Sequence, residues 1–241
     1  PNAGDYFVGR QATIDFWDGV GMTLYFPDYS PTTQSAFLSA EDFALSVDWV
    51  GLGTSEPWPD GVEVFIFDGD RVAEYVLWYS DDTIATTDHA LDPDELDDWV
   101  AGYTATWTSG SNFSALYTED AVFADTMFGI TAAGASEIGE VAQDRFGGGL
   151  PDMISIQDVY AWAIGGILID PTSDTWEGDL VGVGFIYQWP LEVDGESVTI
   201  ESLALCEFGT MEGQYFTAEP NQLIVKETVF HNPDSLTQLT P

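Results

Sequence analysis

Positive charge is nearly missing from this chain. Among its 241 residues, four Lys plus Arg stand against 42 Asp plus Glu, for a formal net charge of −38. Arg10, Arg71, Arg145 and Lys226 are the long cationic side chains, so most carboxylates have no protein ion-pair partner and must be solvated. Self-repulsion at this density opposes compaction. Added salt relieves it, because the screening length falls from roughly 30 Å at 0.01 M to 3 Å at 1 M. The expected setting is saline, either a halophile's cytoplasm or an extracellular marine-type environment; the alternative is an ordinary acidic protein from a mesophile. The same shortage excludes nucleic acid as a partner, since no basic patch exists to neutralise phosphates.

Other absences narrow the chemistry. Cys206 is single, so no intrachain disulfide can form, and in its apolar strand it reads as a small core residue rather than a nucleophile. No apolar run is long enough to span a bilayer. The opening PNAGDYFVGRQ lacks the basic-then-apolar pattern of a signal peptide. His89, in a polar stretch, and His231, behind the last strand at the rim of any pocket, make no metal set. Asp92, Asp94, Asp97 and Asp98 lack the glycine and closing glutamate of a calcium loop and read as a solvated helix start. Gly147 to Gly149 precede a proline, not a lysine-bearing helix, so they form no phosphate loop. No cofactor and no metal are expected.

What is present is enough apolar material for a core, 45% of residues, arranged in two parts. In the first part, GRQATIDFWDGV has the spacing of a short helix, and SAFLSAEDFALSVDWVGLGTS that of paired strands. GVEVFIF turns through Asp68-Gly69 into RVAEYVLWYS, a hairpin. The polar, proline-ended stretch TIATTDHALDP is the linker. DPDELDDWVAGYTATW then opens a helix with acidic residues in its first turn, which suits the helix dipole. Asn112 to Tyr117 read as a short helix, AVFAD as a strand and GASEIGEVAQDRFGG as a helix. Long strands follow in ISIQDVYAWAIGG, DLVGVGFIYQWPL, SVTIESLALCEF and NQLIVKETVF.

The two parts read as repeats. Gly4 and Gly9 match Gly129 and Gly134, each second glycine opening a helix that carries Ile14 or Ile138. GVEVFIF matches LALCEFG, and RVAEYVLWYS matches LIVKETVFHN. In this register Pro1 aligns with Thr126, so the first copy lacks a counterpart of residues 92–125, and the natural polypeptide is expected to extend upstream. The expected division is 1–82 for an N-terminally incomplete copy, 83–91 for a linker and 92–241 for a complete copy.

The stretch YTATWTSGSNFSALYTEDAVFADTMFGITAAGASEI carries a specific pattern. A helix ends in an aromatic-x-Ser-Gly break, a short Leu-Tyr segment leads to Glu-Asp-Ala-Val-Phe-x-Asp, and a Gly-x-x-x-Ile helix start follows. The pattern resembles the nuclear transport factor 2-like superfamily, in particular SnoaL-like polyketide cyclases and ketosteroid isomerases, over residues 92–146 and by strand pattern beyond. The resemblance implies an α+β fold in which a curved antiparallel sheet wraps helices into a cone with a deep pocket, here in tandem. This fold hosts isomerases, cyclases, hydrolases, dehydratases and non-catalytic binders, so it does not settle an activity.

Carried over by position, the resemblance implies Tyr103 as the donor to a developing enolate oxygen and Asp125 as the base that moves a proton beside a carbonyl. The third position falls on Ala204, which cannot donate; in the first copy it falls on Glu63. Against these roles stand a core-facing tyrosine for Tyr103, a turn-capping carboxylate for Asp125 and a solvated edge carboxylate for Glu63. Trp107, Trp162, Trp176 and Trp189 read either as pocket lining or as aromatic core.

Strand parity extends the reading. If Ala204 faces the pocket, so do Ile200, Ser202 and Cys206, while Leu203 and Leu205 face the convex side. In the first copy Glu63, Phe65 and Phe67 point inward, and Val64 and Ile66 outward. Both convex faces are apolar and need cover, so the two copies are expected to pack together as an intrachain pseudo-dimer. The sequence thus favours a small apolar ligand with proton-transfer, cyclase or isomerase chemistry on a carbonyl compound. The alternative is a non-catalytic, salt-adapted extracellular or surface module for binding or assembly.

Overall fold

The computed structural model describes residues 30–40, 42–50, 61–69, 71–80, 93–146, 154–168, 176–212, 215–218 and 223–237. The expected helix at GRQATIDFWDGV, the linker with His89, and Gly147 to Gly149 lie outside these residues, as do the side chains of Trp162 and Trp176.

The first part is an antiparallel meander: β1 (Ser30–Leu38), β2 (Phe43–Val50), β3 (Gly61–Asp68) and β4 (Arg71–Ser80). Asp68 pairs with Arg71 across the expected turn, where Gly69 takes φ +63°. That is the left-handed backbone a tight hairpin needs and that glycine adopts without steric cost.

Helix α1 (Pro93–Ser109) buries Val100, Tyr103 and Trp107, a stripe at helical spacing, and leaves Ala101, Gly102 and Ala105 exposed. It stops at Gly110, φ +64°, whose N–H donates to the Thr106 carbonyl at 3.0 Å. A 3₁₀ turn (Phe113–Ala115) follows in place of the expected short helix. Asn112 is already left-handed before it, φ 66°, and Tyr117 belongs to the next strand. That strand, β5 (Tyr117–Asp125), is longer than AVFAD and buries Tyr117, Ala121, Phe123 and Asp125 on one side. Strand β6 (Ile130–Ala133) leads into α2 (Gly134–Phe146), whose buried stripe is Ile138, Ala142 and Phe146.

The long strands are β7 (Ser155–Leu168), β8 (Trp176–Val193), β9 (Glu196–Glu207) and β12 (Ile224–His231), with a small β10–β11 hairpin (Gly209–Glu212, Tyr215–Ala218) and a closing turn of helix, α3 (Pro233–Leu236). Asp194 and Gly195 both take positive φ, 53° and 86°, and join β8 to β9 in a two-residue turn. Asn232 caps α3 by accepting from the Asp234 N–H.

Strand pairing runs β1-β2-β3-β4-β7-β8-β9-β12-β5-β6 as one ten-stranded sheet. The first part is therefore hydrogen-bonded to the second, through Tyr79–Ala161 and Ser80–Tyr160. A further pairing of Leu38 with His231 brings β1 back to β12. The β12–β5 pair is parallel and the other pairs are antiparallel.

Two apolar clusters lie on opposite faces of β9. One joins Ile200, Ala204 and Cys206 to α1, α2 and the inner faces of β5, β8 and β12. The other joins Leu203 and Leu205 to Phe37, Ala44, Val62 and Val64 of the first part, with Ile186, Phe230 and the partly buried Ile66. Alternation along one strand thus supplies both cores.

Candidate functional site

The first cluster is built largely of rings. From α1, Trp99, Tyr103 and Trp107 stack in series, with centroids 5.8 and 5.7 Å apart. Tyr103 meets Phe185 edge-on at 4.7 Å, and Trp107 touches Phe113, Phe123 and Phe146. These are offset and edge-to-face arrangements that aromatic quadrupoles favour. Trp99 is only partly buried, while Tyr103 behind it is 3% exposed. Trp99 is thus the partly exposed end of the stack that continues inward to Tyr103.

Polar groups inside this shell fall into two networks. The first centres on Glu227, on β12. Tyr103 Oη donates to Glu227 Oε1 at 2.6 Å, and Tyr117 Oη donates to Oε2. Trp107 Nε1 donates to Tyr117 Oη at 2.8 Å. The carboxyl is fully buried. Burial pushes its pKa up to about 7, and the two phenol hydrogen bonds only partly oppose this. Burial, then the negative charge of Glu227, raises both tyrosines well above their ordinary range. Burial and the same charge raise the Cys206 thiol. Cys206 is thus a core residue beside a carboxyl and not an activated nucleophile.

The second network centres on Asp125, at the end of β5. Arg145, from the last turn of α2, pairs with Asp125 Oδ2, and His231 Nε2 lies 2.8 Å from Oδ1. His231 Nδ1 lies 2.8 Å from Ser202 Oγ, which accepts from Trp189 Nε1 at 2.9 Å. The Arg145 guanidinium sits over the Trp189 ring at 4.8 Å, with Phe123 and Phe128 about it at 6.0 and 5.9 Å. Burial alone would raise the pKa of Asp125. The His231 hydrogen bond and the Arg145 charge outweigh it and hold the group below its ordinary value. One of four long cationic side chains is thus committed to the interior.

The expected residues are placed as follows. Tyr103 and Trp107 belong to the Glu227 network, and Asp125 and Ser202 to the Arg145–His231 network. Ile200, Ala204 and Cys206 are fully buried on the same face of β9 as Ser202. Glu63 lies on β3, opposite Leu45 and Leu77, beside Val62 and Val64, which point the other way into the second apolar cluster. His231 is the last residue of β12 and is fully buried, not on a rim.

Sequence reading missed Glu227, Tyr117 and Arg145. Glu227 was recoverable. In the β12–β9 register it faces Cys206, and Val229 and His231 face Ala204 and Ser202, so parity assigned to β9 passes across to β12. Separately, an open groove of about 450 Å³ lies outside the aromatic shell, between the 3₁₀ turn and α2, with Asn112, Phe113, Gly139, Glu140 and Gln143 among its lining residues.

No protein-family model matches the chain, and no curated sequence is significantly similar. Solved structures are similar over about three fifths of it. A protein of ketosteroid isomerase-like fold from Catenulispora acidiphila, solved with trimethylamine, is 14% identical; the match covers 59% of this chain and 92% of that one, TM-score 0.34. A candidate SnoaL-like polyketide cyclase from Shewanella putrefaciens is 11% identical over 60% of this chain and 84% of that one, TM-score 0.36. A nuclear transport factor 2-like protein of unknown function from Burkholderia xenovorans is 13% identical over 61% and 94%, TM-score 0.36. The parallel β5–β12 pair, the antiparallel run β12-β9-β8-β7 and the helices packed on one face make an α+β fold that fits the arrangement the sequence resemblance implies.

Proposed function

We propose that the region 92–241 binds a small apolar molecule through an oxygen atom, with Tyr103, backed by Glu227, as the proton donor. The observation that carries this reading is the Tyr103–Glu227 contact at 2.6 Å inside an aromatic shell. Burying a carboxyl there adds nothing to stability that an apolar residue would not, and a carboxyl whose pKa is about 7 is poised to exchange a proton near neutrality.

When Glu227 is ionised, it accepts the Tyr103 proton. When it is neutral, it donates to Tyr103, whose own O–H is released toward a ligand carbonyl or enolate. This two-link donor supports proton transfer or cyclisation on a carbonyl compound. Asp125, held by Arg145 and His231, serves as an anchor for this wall in the proposal and not as the base. Access is by displacement of Trp99.

The test is titration with β-naphthol and β-tetralone, in concentrated KCl, followed by tryptophan fluorescence. Binding is expected to tighten as pH falls through about 7. Tyr103→Phe should weaken it about tenfold, roughly one hydrogen bond. Saturable binding that ignores both pH and Tyr103 would overturn the reading.

A second reading, a non-catalytic assembly module, is favoured by a different observation: the apolar cluster that Val64 of β3 shares with Leu203 and Leu205 of β9. In this reading residues 1–82 are an incomplete copy, 83–91 a linker and 92–241 a complete copy, and the two copies form a pseudo-dimer through their convex faces. It predicts that Leu203→Asp separates the halves to proteolysis and that neither probe binds.

A further inference from the structure

The proton on Tyr117 has a fixed direction. An indole N–H only donates, so Tyr117 Oη accepts from Trp107 Nε1 at 2.8 Å and sends its own proton to Glu227 Oε2. Donation from Trp107 polarises the Tyr117 O–H and makes it the better donor and poorer acceptor of the two phenols, so Oε2 is the favoured acceptor oxygen in both charge states. Tyr103 Oη faces the other oxygen, Oε1, and can either donate to it or accept from it.

We propose that Trp107 is a positioning residue: by holding Tyr117 as a donor to Oε2, it places the acid proton of Glu227 on Oε1, facing Tyr103. Protonation then follows one route. A proton taken up from solvent forms an O–H bond at Oε1, Tyr103 Oη accepts that hydrogen bond, and the Tyr103 O–H turns away from Glu227. No other bond breaks. The last link, from Tyr103 to a ligand, rests on the function proposed above; the earlier links do not.

The groups acting on Glu227 come from every element packed on it. They are Tyr103 of α1, Tyr117 of β5, Tyr187 of β8 and Cys206 of β9, with Arg145 of α2 and Asp125 of β5 acting through their charges. Of these, Trp107 hydrogen-bonds Tyr117 and stacks on Tyr103; Trp107→Phe keeps a ring for the stack and removes the hydrogen bond, so the change bears mainly on the direction of one proton.

The experiment is infrared titration of the carboxyl C=O band on the full chain, with Glu227→Gln used to assign the band. In the native protein one band is expected as pH falls, lowered in wavenumber by the Tyr117 hydrogen bond. Tyr117→Phe should move it to higher wavenumber, while Tyr103→Phe should leave the C=O position nearly unchanged. Trp107→Phe removes the donation that biases Tyr117, so the proton gains a second oxygen. The band should double, and proton affinity should rise at least about twofold, the factor for two sites in place of one.

A single unshifted band and an unchanged midpoint in folded Trp107→Phe would overturn the proposal. So would a C=O band that moves with Tyr103→Phe and not with Tyr117→Phe, and those two variants decide the matter if Trp107→Phe does not fold. If the infrared results hold but β-naphthol does not bind the native protein, the ligand reading fails and the proton assignment stands.

Discussion

Two carboxyls lie in one interior and are held in opposite ways. Asp125 meets Arg145 and His231, and Glu227 meets two phenols. A phenol donates a hydrogen bond but brings no positive charge, so it offsets only part of the loss of water. Asp125 is accordingly held below its ordinary value, and Glu227 is raised to about 7. The choice of neighbour, more than the depth of burial, decides which of the two is a fixed anion and which is a proton store.

The sharpest way to break this contrast is at Asp125. Asp125→Ala leaves the Arg145 guanidinium buried without its partner, and unfolding in urea should show a loss of about 3–5 kcal/mol. Adding Arg145→Met should recover much of it. If the single change is neutral, the anchor role is wrong.

Next in size is Glu227→Gln, which removes the ionisation penalty. The raised pKa means that Glu227 contributes stability below its ordinary value of 4.5, and that this contribution is lost as pH rises from there through about 7. Above neutrality the variant should therefore match or exceed the native protein, by up to about 3 kcal/mol. Below pH 4.5 the two should coincide. Asp125 runs the other way, because its pKa is lowered. Its contribution is present above the ordinary aspartate range and is lost as pH falls through the lowered value, so Asp125→Asn should be most harmful at neutral pH. Urea midpoints measured across pH on both variants check the two signs together.

Leu203→Ala tests the other face of β9. Loss of a buried leucine should cost about 2–5 kcal/mol while leaving the Glu227 infrared band in place, because the two clusters lie on opposite sides of the strand. The smallest effect belongs to Lys226, whose pair with Glu207 at 2.8 Å is half exposed. Lys226→Gln should change stability by less than about 1 kcal/mol, and less still in high salt.

Much of the fold was legible, for identifiable reasons. Turn dipeptides mark hairpins locally, and the alternation of SLALCEF separates Ala204 and Cys206 from Leu203 and Leu205 without any tertiary information. The joining of β4 to β7 was not legible, since it depends on which strand edges meet after folding. For the site, Tyr103 and Asp125 stood out through a resemblance, but their partners come from 124 and 20 residues away in the chain, and no local pattern announces such contacts. His231 read as lying behind the last strand at a pocket rim; the β1 contact at Leu38 and the bond to Asp125 enclose it instead.

The placement of Arg145 inside the shell has a consequence for the outside. Arg145 leaves the solvent boundary paired with Asp125, so the exterior keeps the negative excess of the formula with one cation fewer to interrupt it.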